Sequence, residues 1–254
     1  MTIHADPVPS RTPTSVRPRV PKASSVLANE LRRRVLLERL PVGAELPNET
    51  QMIESSGFSR ATVREALRLL ESDGLVTIKR GPRGGVKVAH PDTGHVTRSL
   101  ALMLALSDAL VRDLFAYRQT LEPAAAAMAA VSATEAQRAQ LLDIARPDPG
   151  RAVAHNVDFH LLLAEATNNE FFRVSLNAVH EITEWHSNDE GLAGSELQAA
   201  VVAHRRIAEH IAAGNAAAAE RAMRKHISVF EAIMDAHGRL DTPIIHRSGL
   251  SSWT

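Results

Sequence analysis

Several residue types and motifs are scarce or missing in this 254-residue chain, which has no cysteine, one tyrosine and two tryptophans. Without cysteine there are no disulfides, thiolate metal sites or cysteine nucleophiles, so only histidine, carboxylate or amide side chains remain as metal ligands. The chain also lacks HExxH, GxSxG and a glycine-rich phosphate loop, which argues against an enzyme. The opening residues lack a signal-peptide core, and the longest apolar run, near 100–110, is too short to span a bilayer. We expect a cytoplasmic protein without a membrane partner.

The charge of the chain is zero overall but is divided unequally. Residues 1–90 carry 15 lysines and arginines against 9 acidic residues, whereas residues 91–254 carry 14 against 20. A basic N-terminal module attracts nucleic-acid phosphates, and an acidic remainder is repelled by them. On charge alone, chance asymmetry of a mixed surface remains an alternative explanation.

The chain divides into two folded regions and two tails. Residues 1–22 are rich in Pro, Ser, Thr and Arg and nearly lack bulky apolar side chains, which predicts a disordered basic tail. Residues 23–91 show three helical patterns and then two short β-branched runs, the order of a winged helix-turn-helix. Residues 92–240 are rich in Ala and Leu and predict an all-α helical bundle, followed by a C-terminal tail at 241–254. The predicted fold class is therefore mainly α.

Capping residues and apolar periodicity set the predicted elements. In the N-terminal region we expect helices from Ser24, from an N-cap at Asn48 and from an N-cap at Ser59 to about Ser72, then strands at 75–79 and 85–89. In the bundle we expect helices near 96–106, 109–130, 134–145, 150–168, 170–187, 195–213 and 215–237.

The third N-terminal helix has the pattern of a DNA-reading helix. Its apolar stripe faces inward and leaves Arg60, Arg64 and Arg68 on the solvent-facing flank. Arginines near a helix N-terminus suit the major groove, where a guanidinium bridges guanine O6 and N7. An ordinary solvated face with ion pairs one turn apart has the same pattern. The basic hairpin tip at 80–84 favours the DNA-binding interpretation.

Three segments together resemble the N-terminal domain of the GntR family of bacterial regulators. They are S-R-A-T-V-R-E-A-L at 59–67, L-E-S-D-G-L-V at 70–76 and R-G-P-R-G-G at 80–85. The resemblance implies a double-stranded DNA operator, and it places the wing tip at Arg80 and Gly81. It assigns the contacts with operator phosphates and bases to Ser59, Arg60, Thr62 and Arg64. Many members have a long polar residue where this chain has Thr50, so Thr50 receives no base contact.

Four polar side chains of the bundle fall on helix faces where apolar residues are expected: Asn156, His160, His204 and His226. A single inward histidine is most often a hydrogen-bonded core residue. Imidazoles that converge from several helices form a site for a divalent ion such as zinc or nickel. Both interpretations remain open from the residues alone.

The helical region resembles the FCD ligand-binding domain of the FadR subgroup of the same family. The segments that carry this resemblance are R-Q-T-L-E-P at 118–123, F-H-L-L-L-A at 159–164 and N-N at 168–169, with the two helices of His204 and His226. Similar domains bind metal through an aspartate and three histidines, and here Asn156 stands at the aspartate position. The resemblance implies a metal, a small carboxylate effector and an effector contact from Arg118. A structural ion pair of Arg118 with Glu122, one turn on, is an equal alternative.

These observations predict a DNA-binding transcriptional regulator whose operator affinity is modulated by an organic acid in a metal-containing helical domain. Zinc is the expected metal, with nickel as the alternative. We also expect a homodimer, because operators read by this fold are usually two half-sites matched by a two-fold axis. The alternatives are a metal-dependent hydrolase and a DNA-binding protein without a ligand.

Overall fold

The structure is a computed structural model that describes residues 21–79, 81, 84–146, 152–188 and 194–245, without the side chains of 152–158, 184–188, 194, 195 and 197. It divides into two compact units, and the division falls between Pro91 and Asp92. The tail predicted at 1–22 lies almost wholly outside the described residues, as do Arg80 and Arg83 of the hairpin tip.

The first unit contains three helices, α1 (Ala23–Leu37), α2 (Glu49–Ser56) and α3 (Arg60–Ser72). Asn48 caps α2 through a reciprocal capping box with Gln51, and Gly57 ends that helix in the left-handed region at φ 70°. Ser59 caps α3, and its hydroxyl accepts a hydrogen bond from the backbone N–H of Thr62. The predicted starts of α2 and α3 are therefore confirmed.

A small antiparallel sheet completes the first unit. Its strands are β1 (Glu45–Leu46), β2 (Val76–Lys79) and β3 (Gly85–Val88), in the spatial order β1-β3-β2. The β2–β3 hairpin is the predicted wing. Strand β1 was not predicted, because two residues are too short to show an alternating pattern. Apolar side chains of all three helices and of the sheet form one core beneath the wing.

The second unit is all-helical over the residues described. Its helices are α4 (Thr93–Leu106), α5 (Val111–Ser132), α6 (Glu135–Ile144), α7 (Ala152–Ala166), α8 (Glu170–Asn188), α9 (Gly194–Ala212) and α10 (Ala216–Ala236). Each predicted helix is present, with ends that move by a few residues. None of the helices in the described ranges has the length and apolar character that a bilayer crossing requires.

Helix α5 lies at the centre of the bundle, where it packs against α7, α9 and α10. Alanines at 125, 126, 129 and 130 are fully buried along it, and such small side chains allow neighbouring helices to approach closely. The chain after α10 returns to this core, where Ile244 and Ile245 are buried. The backbone N–H of Ile244 donates to the carbonyl of Ala109 at 2.8 Å, so the packed domain extends past residue 240.

Candidate functional site

Helix α3 keeps its apolar face inside and its arginines outside. Val63, Ala66, Leu67 and Leu70 are buried, as the periodicity predicts. Arg60 and Arg64 are exposed, and Thr62 is half-buried beside the capping Ser59. The hydroxyls of Ser59 and Thr62 lie 2.9 Å apart, so both residues are held at the helix N-terminus.

The exposed arginines make only weak contacts within the unit. The guanidinium of Arg64 lies 3.7 Å from the carboxylate of Glu49, and Arg68 lies 3.7 Å from Glu65. Exposed pairs at this distance contribute little stability and are easily exchanged for a phosphate or a base. At the wing, Gly81 adopts φ 107°, a conformation that side-chain-bearing residues rarely take. The geometry of α3 is therefore compatible with the DNA contacts assigned from the resemblance.

Three histidines converge inside the helical domain. His160 comes from α7, His204 from α9 and His226 from α10, and their exposed fractions are only 5%, 1% and 4%. One ligand nitrogen from each lies within 4.8 Å of the others. The three helices surround α5, so the cluster sits at the centre of the bundle. The structure thus brings together three of the four side chains singled out from the sequence.

The nitrogen distances within the cluster fit either hydrogen-bonded imidazoles or imidazoles that share an ion. Nε2 of His204 lies 3.2 Å from Nε2 of His160 and 3.1 Å from Nε2 of His226. A neutral imidazole nitrogen either donates one proton or accepts one, so His204 Nε2 can hydrogen-bond well to only one of these neighbours. The other contact is then left without a well-aligned hydrogen bond. A cation between the three lone pairs removes this conflict.

The spacing also fits an ion of the size of zinc. Zinc binds imidazole nitrogen at about 2.0–2.1 Å, and tetrahedral geometry then separates two such nitrogens by about 3.4 Å. The observed 3.1 and 3.2 Å are close to that separation. Three nitrogens leave one position of a tetrahedral ion for water or an anionic ligand.

The environment keeps two of the imidazoles neutral. Burial, together with the neighbouring histidines and Arg118, holds the pKa of His204 well below its usual value, and burial likewise lowers the pKa of His226. Phe159 stacks on His204 with ring centroids 4.1 Å apart, and Phe230 lies at 5.2 Å from His226. Neutral nitrogens behind aromatic walls have lone pairs available for a metal.

An ion pair on α5 borders the cluster. Nε of Arg118 donates to Oε1 of Glu122 at 2.5 Å, and both side chains are buried. Oε2 of Glu122 lies 2.8 Å from Nδ1 of His160, although the ring N–H does not align with it. Burial alone would raise the pKa of Glu122, but Arg118 and His160 hold that pKa well below its usual range. A carboxylate behind a metal-ligating histidine fixes the ring and favours the lone pair on Nε2.

The contact of Glu122 with His160 was not predicted from the sequence. There Glu122 entered only as a partner for Arg118, because contact with a histidine 38 residues later leaves no local pattern. The Arg118–Glu122 pair itself was one of the two alternatives offered by the sequence. Asn156 lies on α7 one turn before His160, but its side chain is outside the described residues.

A small cavity adjoins the cluster between α5, α7 and α8. Its volume is about 10 Å³, and its polar lining comes from Tyr117, Glu122, His160, His180 and Thr183. A volume of this size holds about one water molecule. Arg118 does not line this cavity. An organic anion that entered this cavity would therefore have to displace the side chains that line it.

Comparison with known proteins identifies both units. Residues 23–88 match the family described as bacterial regulatory proteins, gntR family, and residues 113–229 match the FCD domain. FCD domains are often metal-binding. The matched families and the relatives below are transcriptional regulators and not enzymes.

Three relatives illustrate the likeness. The HTH-type transcriptional regulator LutR of Bacillus subtilis is 29% identical over 78% of this chain and 94% of its own length. The Uxu operon transcriptional regulator of Escherichia coli is 32% identical over 73% of this chain and 76% of its own. The solved structure of Streptococcus agalactiae GntR, 27% identical, superposes with a TM-score of 0.65 over 82% of this chain and 98% of that one.

Proposed function

Because the chain belongs to the GntR family of bacterial regulators and carries an FCD domain, we propose that it is a cytoplasmic regulator whose operator affinity depends on an organic acid. The acid binds at a divalent metal in the helical domain. The observation that supports this most strongly is the convergence of three buried Nε2 atoms at 3.1 and 3.2 Å.

The metal is held by His160, His204 and His226, with the amide oxygen of Asn156 as a fourth candidate ligand. Three imidazole nitrogens with an amide oxygen suit a borderline ion, so zinc is the proposed metal and nickel the alternative. An amide contributes no charge, which leaves the ion more positive than an aspartate would. That residual charge favours an anionic effector.

The effector is a small carboxylate that completes the coordination of the ion. Arg118 is its proposed second contact, because Nε and one terminal nitrogen of its guanidinium contact Glu122 while Nη1 makes no hydrogen bond to the described residues. A free N–H beside a buried carboxylate can turn toward a second carboxylate. Since the cavity beside Glu122 is only about 10 Å³, an effector that binds there must open it. The closed and open forms of the cavity then differ in their affinity for the effector. This difference couples effector binding to a change of conformation.

The DNA half of the proposal is tested at Arg64. Replacing Arg64 with alanine should weaken binding to a defined operator by about 1–3 kcal/mol and relax base discrimination, because a guanidinium aimed at a base edge is lost. Fluorescence anisotropy with matched and mismatched duplexes measures both effects. Thr50→Ala is the control, and it should change affinity little. Equal losses in the two variants would contradict the assignment of α3 as the recognition helix.

The proposed regulator is a homodimer through the apolar face of α4. Leu102, Met103 and Leu106 are 50%, 67% and 73% exposed on that helix, an unusual apolar density for a surface. Other residues of α4, among them Leu100 and Leu104, line a groove of about 540 Å³ between α4, α5 and α8. A second copy that covers this face removes it from water, as oligomer interfaces do.

Light scattering at micromolar concentration should therefore give twice the chain mass for the wild type. The double variant Met103→Glu/Leu106→Glu should give a monomer, because two charges in an apolar interface are costly. Val131→Glu is the matched control, since Val131 is 76% exposed elsewhere in the same domain. A monomeric wild type, or an unchanged dimer in the double variant, would rule out α4 as the interface.

A further inference from the structure

A second cavity lies between α9 and α10 and is called here the α9–α10 groove. Its volume is about 490 Å³, which is within the range of about 300–1,000 Å³ typical of small-molecule sites. Its apolar surface comes mainly from Val202, Ala203, Ala222, Val229 and Phe230. The small alanines leave open space between the two helices. The groove shares no lining residue with the cavity beside Glu122.

The rim of the α9–α10 groove is basic. Arg206, Arg221 and Lys225 line it and are exposed, and His210 lies beside them. Within the part of the chain that the structure describes, none of these three cations forms an ion pair, and the lining contains no acidic side chain.

The nearest carboxylates on the two helices are engaged elsewhere. Glu209 pairs with Arg205 at 2.8 Å, and Glu220 pairs with Arg224 at 3.1 Å. These pairs leave the charges of the groove uncompensated, although the helical half of the chain carries 20 acidic residues against 14 basic ones. A concentration of cations in an acidic domain attracts anions to one place.

The cations and the large apolar side chains are distributed unevenly along the groove. Helices α9 and α10 are joined by a short turn at 213–215, so they run antiparallel with His210 and Ala218 next to the turn. Arg206 and Arg221 therefore lie in the half nearer the turn, and Lys225 lies near the middle of the groove. Val229 and Phe230 lie at the far end. A ligand that matches both halves has an anionic head and an apolar body.

We propose that the α9–α10 groove binds an organic anion with an apolar body. Its carboxylate or sulfonate head lies among Arg206, Arg221 and Lys225, and its body lies over Val229 and Phe230. His226, one of the proposed metal ligands, forms part of the groove wall, so the groove adjoins the proposed metal position. The three cations that hold the head are not metal ligands, and the groove is therefore tested on chelator-treated protein, where no metal contributes to binding.

The probes are 1-anilinonaphthalene-8-sulfonate and its uncharged analogue N-phenyl-1-naphthylamine, which share an apolar body and differ in the sulfonate. Titration of the full chain, followed by probe fluorescence, gives both affinities. In Arg221→Glu/Lys225→Glu, sulfonate affinity should fall by at least about tenfold, because charge-assisted contacts become repulsive. Affinity for the uncharged probe should change less than about twofold, since its apolar contacts remain.

The control is Arg98→Glu/Arg146→Glu, which makes the same charge change at exposed arginines outside the groove. It should leave both affinities within about twofold of wild type, because exposed charges at a distance are screened. A second variant, Ala203→Phe, fills the groove and should weaken both probes. Circular dichroism verifies that each variant is folded.

Three outcomes would overturn the proposal. They are an equal loss of sulfonate affinity in the groove variant and the control, no loss in either, or a parallel loss of the uncharged probe in the charge-reversed variant. A fourth contradicting outcome comes from light scattering. A change of mass in Arg221→Glu/Lys225→Glu would indicate that the groove is an interface between copies of the chain.

Discussion

Replacing His204 with leucine is expected to reduce the affinity of the protein for zinc by at least about 100-fold. Changes to residues behind the ligands of a metal typically cost 10–100-fold, and loss of one of three imidazoles removes a ligand itself. His204 is also the central member, because its Nε2 is the atom that contacts both other histidines. Competition titration with a chromogenic chelator measures the affinity.

His210→Leu is the matched control, because it removes a half-buried histidine of the same helix outside the cluster. It should leave zinc affinity unchanged. Asn156→Asp should increase the affinity, since it adds a formal negative charge beside the ion. An unchanged zinc affinity in His204→Leu would exclude the histidine cluster as the binding site.

The fold of His204→Leu is expected to survive. Leucine removes a buried polar group from a core of Leu, Ala, Val and Ile side chains, so the metal-free variant should be at least as stable as metal-free wild type. Added zinc should stabilise the wild type alone, so the wild type should be the more stable of the two proteins only when zinc is present. Stability that rises equally in both would place the metal elsewhere.

Replacing Arg118 with alanine is expected to lower the free energy of unfolding by about 3–5 kcal/mol, because it leaves the carboxylate of Glu122 buried without its main partner. The pair is almost fully enclosed, with side-chain exposures of 8% and 7%. Urea denaturation followed by circular dichroism gives the value for the helical domain.

Arg224→Ala is the control for this loss. Arg224 and Glu220 have the same one-turn spacing and a distance of 3.1 Å, but their side chains are 53% and 44% exposed. Exposed pairs contribute about 0–1 kcal/mol, so the control should be destabilised far less. If the free energy of unfolding fell by the same small amount in both variants, the charge of Glu122 would not depend on Arg118. A double variant, Arg118→Met/Glu122→Gln, should recover part of the loss because no buried charge remains.

Local signals in the sequence were sufficient to predict the helices and the β2–β3 hairpin. Asn48 and Ser59 cap their helices because their short polar side chains accept hydrogen bonds from backbone N–H groups of the first turn. This interaction is local, so the helix starts could be predicted without tertiary information. The stripe of buried side chains on α3 follows from its period of 3.6 residues in the same way. Strand β1 lacks such a signal, because its position depends on pairing with β3.

Only part of the histidine cluster could be predicted from the sequence. Inward faces for His160, His204 and His226 could be read from periodicity, but periodicity does not tell which helices face each other. Their convergence depends on how α7, α9 and α10 pack around α5. The contact of Glu122 with His160 has the same origin. The return of Ile244 to the core also depends on packing, and no sequence pattern near residue 240 predicts it.

Elemental analysis of the wild-type chain, purified without a histidine tag or a metal column, tests the central claim most directly. The account predicts close to one zinc or nickel ion per chain, and a melting temperature that falls when a chelator removes it, because an ion bound only by the folded state stabilises that state. Sub-stoichiometric metal with a chelator-insensitive melt would contradict it, and would leave the three histidines as hydrogen-bonded residues of the core.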